Sequence, residues 1–330
     1  MSNNEIMVSV VVPTYGHEKY IEKAINSVLM QKVNFNYEVL VGEDCSLDNT
    51  REILKAMEPN LPDFVHIFYR EKNMGMGTNG NSSDLSKRAK GKYFIMLEGD
   101  DYWIDENKLQ EQVNFLETHP DYIAVAHNTE IVDQNNEIIQ GKSYPECKNA
   151  EYTLNDFLDG ILCGQTTTIL SRKDYLLLPS LKSVAGYPGD RAKVFILAAF
   201  GRVYCIQKKM SAYRYITNGG YSYSATVEKN HKASKQDVWK EKSLKMYKNM
   251  IEYSTNHIKT KESILVSEKL YYSMLWWAVI EHSVNGVNYK TAKKDFRSCK
   301  YKFSVITYVL KKNLMSTVKM YIVMLLKNRR

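Results

Sequence analysis

The sequence Tyr93-Phe-Ile-Met-Leu-Glu-Gly-Asp-Asp-Tyr-Trp103 joins a short apolar run to three carboxylates within four residues. Residues 93–97 have the length and composition of a buried strand. The side chains of Glu98, Asp100 and Asp101 therefore fall at the carboxyl end of a strand, where open α/β sheets bind ligands. Because neighbouring carboxylates repel and raise one another's pKa, this acidic motif predicts a bound cation.

The cation that best suits the acidic motif is a hard divalent ion with oxygen ligands, Mn²⁺ or Mg²⁺, carrying a substrate diphosphate. We predict Asp100 as a direct ligand and Glu98 as a contact to the metal or to a ribose. Asp101 is predicted to act on the metal through water or to make structural hydrogen bonds. The alternative is a solvated acidic turn before a helix that starts near Asp105, where Asp is common as a cap.

The totals are those of an ordinary globular protein: 330 residues, 44% hydrophobic and 25% charged. No stretch reaches the roughly 18 consecutive apolar residues of a transmembrane helix. The amino terminus has no basic segment followed by an apolar one, so we expect a cytoplasmic location. Five scattered cysteines without a Cys-x-x-Cys pair favour reduced thiols over a disulfide framework or a zinc site.

The net charge of +8 is unevenly distributed, since residues 296–330 contain nine Lys or Arg and no Asp or Glu. A basic tail of this kind predicts contact with an anionic surface rather than with nucleic acid. The tail also alternates apolar and basic segments, which is typical of an amphipathic anchor. We therefore expect peripheral contact with the inner face of the plasma membrane; a solvated helix end or a dimer contact is the alternative.

Strand-like and helix-like patterns alternate along the first 70 residues. Residues 8–12, 37–41 and 65–69 are apolar runs, and residues 17–31 and 49–57 show helical spacing. This βαβαβ order predicts parallel strands.

Further elements are predicted downstream. The patterns predict a short helix ending near Gly91, helices at 105–119 and 190–200, and strands at 122–126, 130–139, 166–170 and 202–207. From about residue 238 long helical patterns dominate. The predicted fold is α/β, with a mostly parallel central sheet flanked by helices. We predict a catalytic domain at 1–230 and a helical region at 231–330.

Four ordered motifs carry a family resemblance: Val8-Ser-Val-Val-Val-Pro-Thr-Tyr15, Val39-Leu-Val-Gly-Glu-Asp-Cys-Ser-Leu-Asp-Asn-Thr50, Asn73-Met-Gly75 and Glu98-Gly-Asp100. Together they resemble the GT-A fold glycosyltransferases of family 2, the large inverting group that uses nucleotide-diphosphate sugars. The resemblance covers about residues 7–225. It implies a Rossmann-like GT-A domain with the metal-binding acidic motif at Glu98-Gly-Asp100, where Glu replaces the commoner Asp.

The resemblance also implies a donor-binding set. Its members are Pro13, Thr14, Tyr15, Asp44, Arg70, Asn73, Glu98, Gly99, Tyr213 and Arg214. Chemically, the Asp44 carboxylate can accept a hydrogen bond from a uracil N3–H, and the Tyr15 ring can pack on the base. Asp44 could equally be a capping residue, Tyr15 a core residue and Arg70 a surface residue.

Relatives often carry a metal-binding histidine in the loop after the last strand, but this chain has none between His127 and His231. Tyr213, Arg214 and Asn218 are predicted to contact phosphates instead.

An inverting transfer needs one base to take the proton of the acceptor hydroxyl. The segment Gly186-Tyr-Pro-Gly-Asp-Arg-Ala192 resembles the place where the family supplies it, so Asp190 is the predicted catalytic base. Its alternative role is a helix N-cap. By position, residues 164–168 would line the acceptor side.

These features predict an inverting, metal-dependent, hexosyltransferase-like enzyme. It would move a sugar from a UDP-sugar to a hydroxyl of a glycan or lipid-linked oligosaccharide. The expected context is bacterial surface polysaccharide assembly, such as capsule or O-antigen. One alternative is a non-catalytic nucleotide-sugar-binding or scaffold protein, suggested by Glu98 and the missing loop histidine. Another is a sugar nucleotidyltransferase, which predicts a glycine-rich basic loop after the first strand, unlike Pro13-Thr-Tyr-Gly-His17.

Overall fold

The computed structural model describes residues 5–75, 80–178, 181–182, 184, 189–216, 234–281 and 283–312. The chain divides into two compact units. The first unit comprises residues 1–178 and 193–230, and the second comprises residues 179–192 and 231–330.

A nine-stranded mixed sheet is the centre of the first unit. Its strands are β1 (Ile6–Thr14), β2 (Asn36–Glu43), β3 (Val65–Tyr69), β4 (Tyr93–Met96), β5 (Tyr102–Trp103), β6 (Tyr122–Val132), β7 (Glu151–Tyr152), β8 (Leu170–Arg172) and β9 (Arg202–Arg214). The order is β3-β2-β1-β4-β8-β6-β9-β5, with β7 also on β9. The first four strands are parallel, β8 runs antiparallel to β4 and β6, and β6 is parallel to β9.

Helices cover this sheet because their apolar residues recur on one side. They are α1 (Ile21–Leu29), α2 (Thr50–Met57), α3 (Asn81–Arg88), α4 (Lys108–Thr118), α5 (Leu154–Leu158) and α6 (Gly189–Phe200), the last of which has residues in both units. In α1 the spacing of Ile21, Ala24, Ile25 and Val28 places all four in the same buried cluster as the valines of β1. Truncation of one such buried Ile to Ala costs about 2–5 kcal/mol.

Two predicted strands differ from the observed elements. The strand predicted at 130–139 belongs to β6 only as far as Val132, because Asp133 opens a turn. Its carboxylate accepts hydrogen bonds from the backbone N–H groups of Asn135 and Glu137, and Asn136 has a φ of 71°.

The strand predicted at 166–170 begins instead with a 3₁₀ turn, Thr166–Thr168, and only Leu170–Arg172 is extended. The side-chain oxygen of Gln165 accepts a hydrogen bond from Thr167 N (2.7 Å), and Thr168 Oγ1 donates to Gln165 O (2.7 Å). These local bonds outweigh the β preference of threonine.

The second unit is helical. It contains α7 (Ser234–Tyr253), a π-helical turn (Ser254–Ile258), α8 (Lys261–Ile280) and α9 (Tyr289–Phe296), followed by helical residues 302–312. Side chains of Thr260 and Asn288 cap α8 and α9. Within the described ranges, no helix combines the length and apolar character needed to cross a bilayer.

Candidate active site

The acidic motif lies beside the carboxyl ends of β1 and β2. Backbone hydrogen bonds run from Leu97 N to Val11 O (2.9 Å) and from Gly99 N to Pro13 O (3.2 Å). Asp44 N donates to Thr14 O (3.0 Å). Since parallel strands end at the same edge of a sheet, the structure brings the predicted residues Pro13, Thr14, Asp44 and Gly99 together.

Gly99 has a steric role within the acidic motif. A Cβ at this position would lie 2.7 Å from both His17 Nδ1 and Thr14 Oγ1, closer than any ordinary contact. A residue with a Cβ would therefore displace the side chains of Thr14 and His17. The acidic motif consequently packs directly on the turn between β1 and α1.

His17, in the turn between β1 and α1, also belongs to the site. Sequence reasoning missed this residue. Its Nδ1 shares a hydrogen bond of 3.0 Å with Thr14 Oγ1, and its Nε2 lies 3.9 Å from Asp100 Oδ1. Its backbone N–H donates to Thr50 Oγ1 (2.8 Å). The side chains of His17 and Asp100 are only 14% and 13% exposed. The one sequence signal was its place three residues after a strand end predicted to bind nucleotide.

The three carboxylates have different surroundings. Asp101 is 1% exposed, and its two oxygens accept hydrogen bonds from Arg214 N (2.8 Å) and Gln165 Nε2 (3.0 Å). Burial first, and then the charges of Asp100 and Glu98, raise the pKa of Asp101 well above its usual range. Of the two roles predicted for Asp101, structural hydrogen bonding is the one with partners in the protein. Glu98 Oε2 accepts from the same Gln165 amide at 3.2 Å.

The prediction that Arg214 contacts phosphates needs correction, because its side chain is 1% exposed. Its Nε donates to the carbonyl oxygen of Asp100 (2.8 Å), its Nη1 to that of Asp133 (2.8 Å) and its Nη2 to Asn136 Oδ1 (2.9 Å). The guanidinium also lies 4.2 Å from the Tyr20 ring centre. Arg214 therefore holds the backbone of the acidic motif in place.

The residues predicted around the nucleotide base lie beside Asp44. The carboxylate of Asp44 accepts hydrogen bonds from Met74 N (2.7 Å) and Gly75 N (3.1 Å), and Asn73 Nδ2 donates to Asp44 O (3.0 Å). Each carboxylate oxygen has a second lone pair that a base N–H could use. Tyr15, on the turn after β1, is half-buried.

The guanidinium of Arg70 binds to side chains of helix α3. Its Nη2 lies 2.7 Å from Asp84 Oδ2, and its Nε donates to Asn81 Oδ1 (3.1 Å). A phosphate would have to compete with the Asp84 carboxylate for this guanidinium.

Lys193 is a second residue that sequence reasoning missed. Its Nζ lies 5.8 Å from the ring centre of Phe94, and its charge interacts with Glu98. Burial lowers the pKa of Lys193 to about 8, while Cys163 and Glu98 act in the opposite direction. This ammonium group adds a positive charge near the acidic motif.

The donor atoms of the acidic motif suit a divalent cation in part. Among the described residues, no group of three His, Cys, Asp or Glu side chains forms a complete metal site. However, Mg²⁺ and similar ions in phosphate sites need only one or two carboxylates, since substrate phosphates and water complete the coordination. Asp100, with Glu98 beside it, fits that more limited requirement.

Two further predicted site residues have simpler surroundings. Asp190 is half-buried in the first turn of α6, where its Oδ1 accepts a hydrogen bond from Arg191 N (2.7 Å). Tyr213, in β9, packs edge to face against Tyr144 with ring centres 6.0 Å apart. Asn218 lies outside the described residues.

The comparison with protein families identifies the class of protein. The model of glycosyl transferase family 2 matches residues 9–176, about half of the chain. The chain therefore belongs to glycosyl transferase family 2, and its fold is of the GT-A type.

Curated relatives share part of this region. The chain is 32% identical over 125 residues to an uncharacterized protein of Mycobacterium tuberculosis, covering 38% of this chain and 36% of the relative. It is 36% identical over 116 residues to TuaG of Bacillus subtilis, named as a teichuronic acid biosynthesis glycosyltransferase, covering 35% of this chain and 44% of that protein. An uncharacterized glycosyltransferase of Nostoc is 26% identical over 234 residues, covering 69% of this chain and 71% of the relative. The matched region thus spans less than half of the length of the first two relatives.

Among solved structures, TarS of S. aureus has a similar fold. Its residues 1–349 in complex with UDP-GlcNAc give a TM-score of 0.58 at 19% identity, covering 82% of this chain and 72% of that chain. The complex of the same fragment with UDP gives a TM-score of 0.55 at 20% identity, covering 90% of this chain and 93% of that chain.

Proposed function

We propose that this protein is an inverting, metal-assisted glycosyltransferase that transfers a sugar from a UDP-sugar to a hydroxyl of a glycan or lipid-linked oligosaccharide. The observation that carries the proposal is the position of Asp100 in a family 2 chain. Its carboxylate lies 3.9 Å from His17 Nε2 in the turn after β1, and the neighbouring Gly99 N donates to Pro13 O at the carboxyl end of β1. This edge is where α/β folds bind nucleotides.

The chain's own residues have three tasks in this reaction. Asp44 and Tyr15 hold the base, Asp100 and Glu98 face the diphosphate, and Asp190 takes the proton of the acceptor hydroxyl. The acceptor oxygen forms a bond to the anomeric carbon while the bond from that carbon to the diphosphate oxygen breaks on the opposite face. The configuration at the anomeric carbon is therefore inverted.

Asp100 and Glu98 would hold a divalent cation, Mn²⁺ or Mg²⁺, which stabilises negative charge on the departing nucleoside diphosphate. Because the leaving group is then stabilised electrostatically, no general acid is required of the protein. Lys193, whose charge interacts with Glu98, adds positive charge to the same region.

UDP is the first nucleotide to test for two reasons. A carboxylate such as Asp44 can accept the N3–H of uracil. In addition, the TarS structures that share this fold contain UDP-GlcNAc and UDP. TuaG, whose name refers to teichuronic acid, suggests an acceptor in a bacterial surface polysaccharide such as capsule or O-antigen.

Nucleotide release tests the proposal. UDP-, GDP- and dTDP-sugars would be incubated with the protein and Mn²⁺, Mg²⁺ or EDTA, with and without lipid-linked acceptors, and compared with Asp100→Ala and Asp190→Ala. We expect release from one UDP-sugar that EDTA abolishes and that both substitutions reduce by at least about a hundredfold.

The matched control is Asp121→Ala, which replaces a half-exposed carboxylate immediately before β6. This variant should release nucleotide at the normal rate. Metal-dependent UDP-sugar binding without turnover on any acceptor would instead favour a non-catalytic nucleotide-sugar-binding protein. Equal activity of the folded Asp190→Ala variant would rule out Asp190 as the base.

We also infer peripheral contact with an anionic membrane through residues 296–330, of which 313–330 lie outside the described residues. In the helical residues 302–312, three large apolar side chains at helical spacing are exposed. They are Phe303, Ile306 and Leu310, at 84%, 44% and 51% exposure. Exposed lysines at 302, 311 and 312 supply charge that complements anionic lipid.

Vesicle sedimentation tests this contact. The protein should pellet with vesicles containing phosphatidylglycerol and not with purely zwitterionic ones, and Phe303→Ser with Ile306→Ser should abolish pelleting. Thr307→Ser, an exposed change on the same helix, is the control. Binding that does not depend on lipid charge or on these apolar residues would contradict the inference.

A further inference from the structure

We propose that the imidazole of His17 is a ligand of the divalent cation, binding through Nε2 beside Asp100 Oδ1 and the diphosphate oxygens. This inference rests on the proposed function and adds a nitrogen donor to the site. The loop after the last strand has no histidine between His127 and His231. The imidazole of this site would come from the opposite end of the domain's sequence, in the β1–α1 turn.

The first argument is the separation of the two donor atoms. His17 Nε2 and Asp100 Oδ1 are 3.9 Å apart, too far for a direct hydrogen bond. Two atoms bound to one ion at about 2.1 Å are about 3 Å apart at a right angle and about 4 Å apart when nearly opposite. The observed separation lies within that range, so one ion can contact both atoms with little movement.

The second argument is the hydrogen bond on the other ring nitrogen. Metal-binding histidines usually donate their second N–H to an oxygen, which fixes the ring and leaves the other nitrogen as a ligand. His17 Nδ1 lies 3.0 Å from Thr14 Oγ1, and Thr14 is buried in β1. When Nδ1 donates to this hydroxyl, the lone pair of Nε2 faces Asp100.

The third argument is that the ring is fixed before any ligand binds. The backbone N–H of His17 donates to Thr50 Oγ1 at 2.8 Å, and its carbonyl oxygen accepts from Tyr20 N and Ile21 N at the start of α1. Gly99 leaves just enough room for the imidazole against the acidic motif, since a Cβ there would lie 2.7 Å from Nδ1. A rigid donor loses little entropy on binding a metal.

The nitrogen donor also predicts metal selectivity. Imidazole adds more affinity for later first-row metals than for Mg²⁺, which prefers oxygen ligands. With UDP present, the protein should therefore bind Co²⁺ and Mn²⁺ more tightly than Mg²⁺. His17→Ala should reduce the Co²⁺ affinity by about 10- to 100-fold and the Mg²⁺ affinity by less.

Electron spin-echo envelope modulation of the Mn²⁺–UDP complex tests the proposal without measuring turnover. The unaltered protein should show ¹⁴N modulation of a directly bound imidazole. The signal should disappear in His17→Ala and in His17→Gln, which keeps side-chain size and polarity. It should persist in His66→Ala, which removes an exposed histidine from β3. Thermal melting confirms that each variant is folded.

Two results would overturn the proposal in distinguishable ways. If the unaltered protein binds Mn²⁺ with UDP but shows no nitrogen modulation, His17 is not a ligand and the proposed function stands. If it binds no Mn²⁺ with UDP at all, the proposed function fails and this inference fails with it. Absence of the signal in the unaltered protein decides against His17 even when a variant does not fold.

Discussion

The acidic motif of the first unit and helix α8 of the second unit, which carries Glu268, both contain a buried carboxylate that accepts hydrogen bonds. Only the acidic motif also has a carboxylate, that of Asp100, to which no described group donates. Glu268 Oε1 accepts from Lys300 N (2.6 Å), and its Oε2 accepts from Tyr301 N (3.0 Å). Asp101 is similarly satisfied. In the described part of the chain, the neighbouring Asp100 carboxylate accepts no hydrogen bond and faces His17 at 3.9 Å.

This difference gives a criterion for separating structural carboxylates from ligand-binding ones among buried acidic residues. A carboxylate whose oxygens all receive protein donors contributes to the fold, because its burial is compensated. A carboxylate held nearby by its backbone, but without donors of its own, is available to a cation or ligand. By this criterion Asp101 and Glu268 are structural, and Asp100 is the acid that we propose to be functional.

Asp100→Asn should separate activity from stability most strongly. The change removes the charge that we propose to face the donor, so UDP release should fall at least about a thousandfold, equivalent to about 4 kcal/mol of transition-state stabilisation. The melting temperature should stay near that of the unaltered protein, since no described protein donor is lost. Initial rates and calorimetry on the same preparation check both parts; a large fall in melting temperature would make Asp100 a structural residue.

Arg214→Met should show the opposite pattern. It removes three hydrogen bonds that hold the carbonyl groups of Asp100 and Asp133 and the Asn136 side chain. Loss of these buried partners should lower the free energy of unfolding by about 3 kcal/mol. Chemical denaturation measures this loss. Full stability combined with lost UDP binding would restore Arg214 as a phosphate contact.

Glu268→Gln tests the comparison from the second unit. The amide keeps one acceptor oxygen but points an N–H₂ group at a backbone N–H of Lys300 or Tyr301, which leaves that donor unsatisfied. The free energy of unfolding should fall by about 2 kcal/mol. UDP affinity, measured by titration calorimetry below the unfolding transition, should not change. An equal effect on UDP affinity would show that Glu268 is not purely structural.

Glu146 is an intermediate case, with one described hydrogen bond, from Thr129 N at 2.9 Å. Burial raises the pKa of Glu146 to about 7 from an ordinary 4.5. Between these values the unfolded chain has released a proton that the folded chain retains, so stability falls as the pH rises through this window. Because glutamine does not ionise, Glu146→Gln removes this loss of stability at higher pH.

We therefore expect Glu146→Gln to be more stable than the unaltered protein at pH 8 by about 1 kcal/mol, after allowance for solvent screening of this half-buried group. At pH 4 the two proteins should be equally stable, because both side chains are then neutral. Thermal melts from pH 4 to 8 check this. A stability difference that does not vary with pH would show that Glu146 is ionised at its ordinary pKa.

Much of the first unit could be predicted from local patterns. Strand β3 was predicted at 65–69 and is Val65–Tyr69, and the apolar run at 93–97 ends in the acidic motif as β4 does. These elements have regular periodicity and bury their apolar residues in one sheet, so local sequence reports their structure directly. The resemblance to family 2 added the order of the motifs, and the family match confirms membership of that family.

The rest depends on contacts between distant parts of the chain. Arg214 looked like a loop cation because nothing near it in sequence shows that its partner is the carbonyl oxygen of Asp100, 114 residues earlier. His17 was predicted only as the first residue of a helical segment, because its approach to Asp100 depends on the space at Gly99. Thr166–Thr168 forms a 3₁₀ turn because Gln165 bonds locally, which overrides threonine's β preference.

Titration calorimetry of UDP with and without Mn²⁺, on the unaltered protein and on Asp100→Asn and Asp101→Asn, tests the central claim most directly. The account predicts that UDP binds only with Mn²⁺, that folded Asp100→Asn loses this binding, and that Asp101→Asn retains it at reduced thermal stability. Metal-dependent UDP binding that survives in Asp100→Asn with its affinity unchanged would contradict the assignment of Asp100 as the acid that faces the donor.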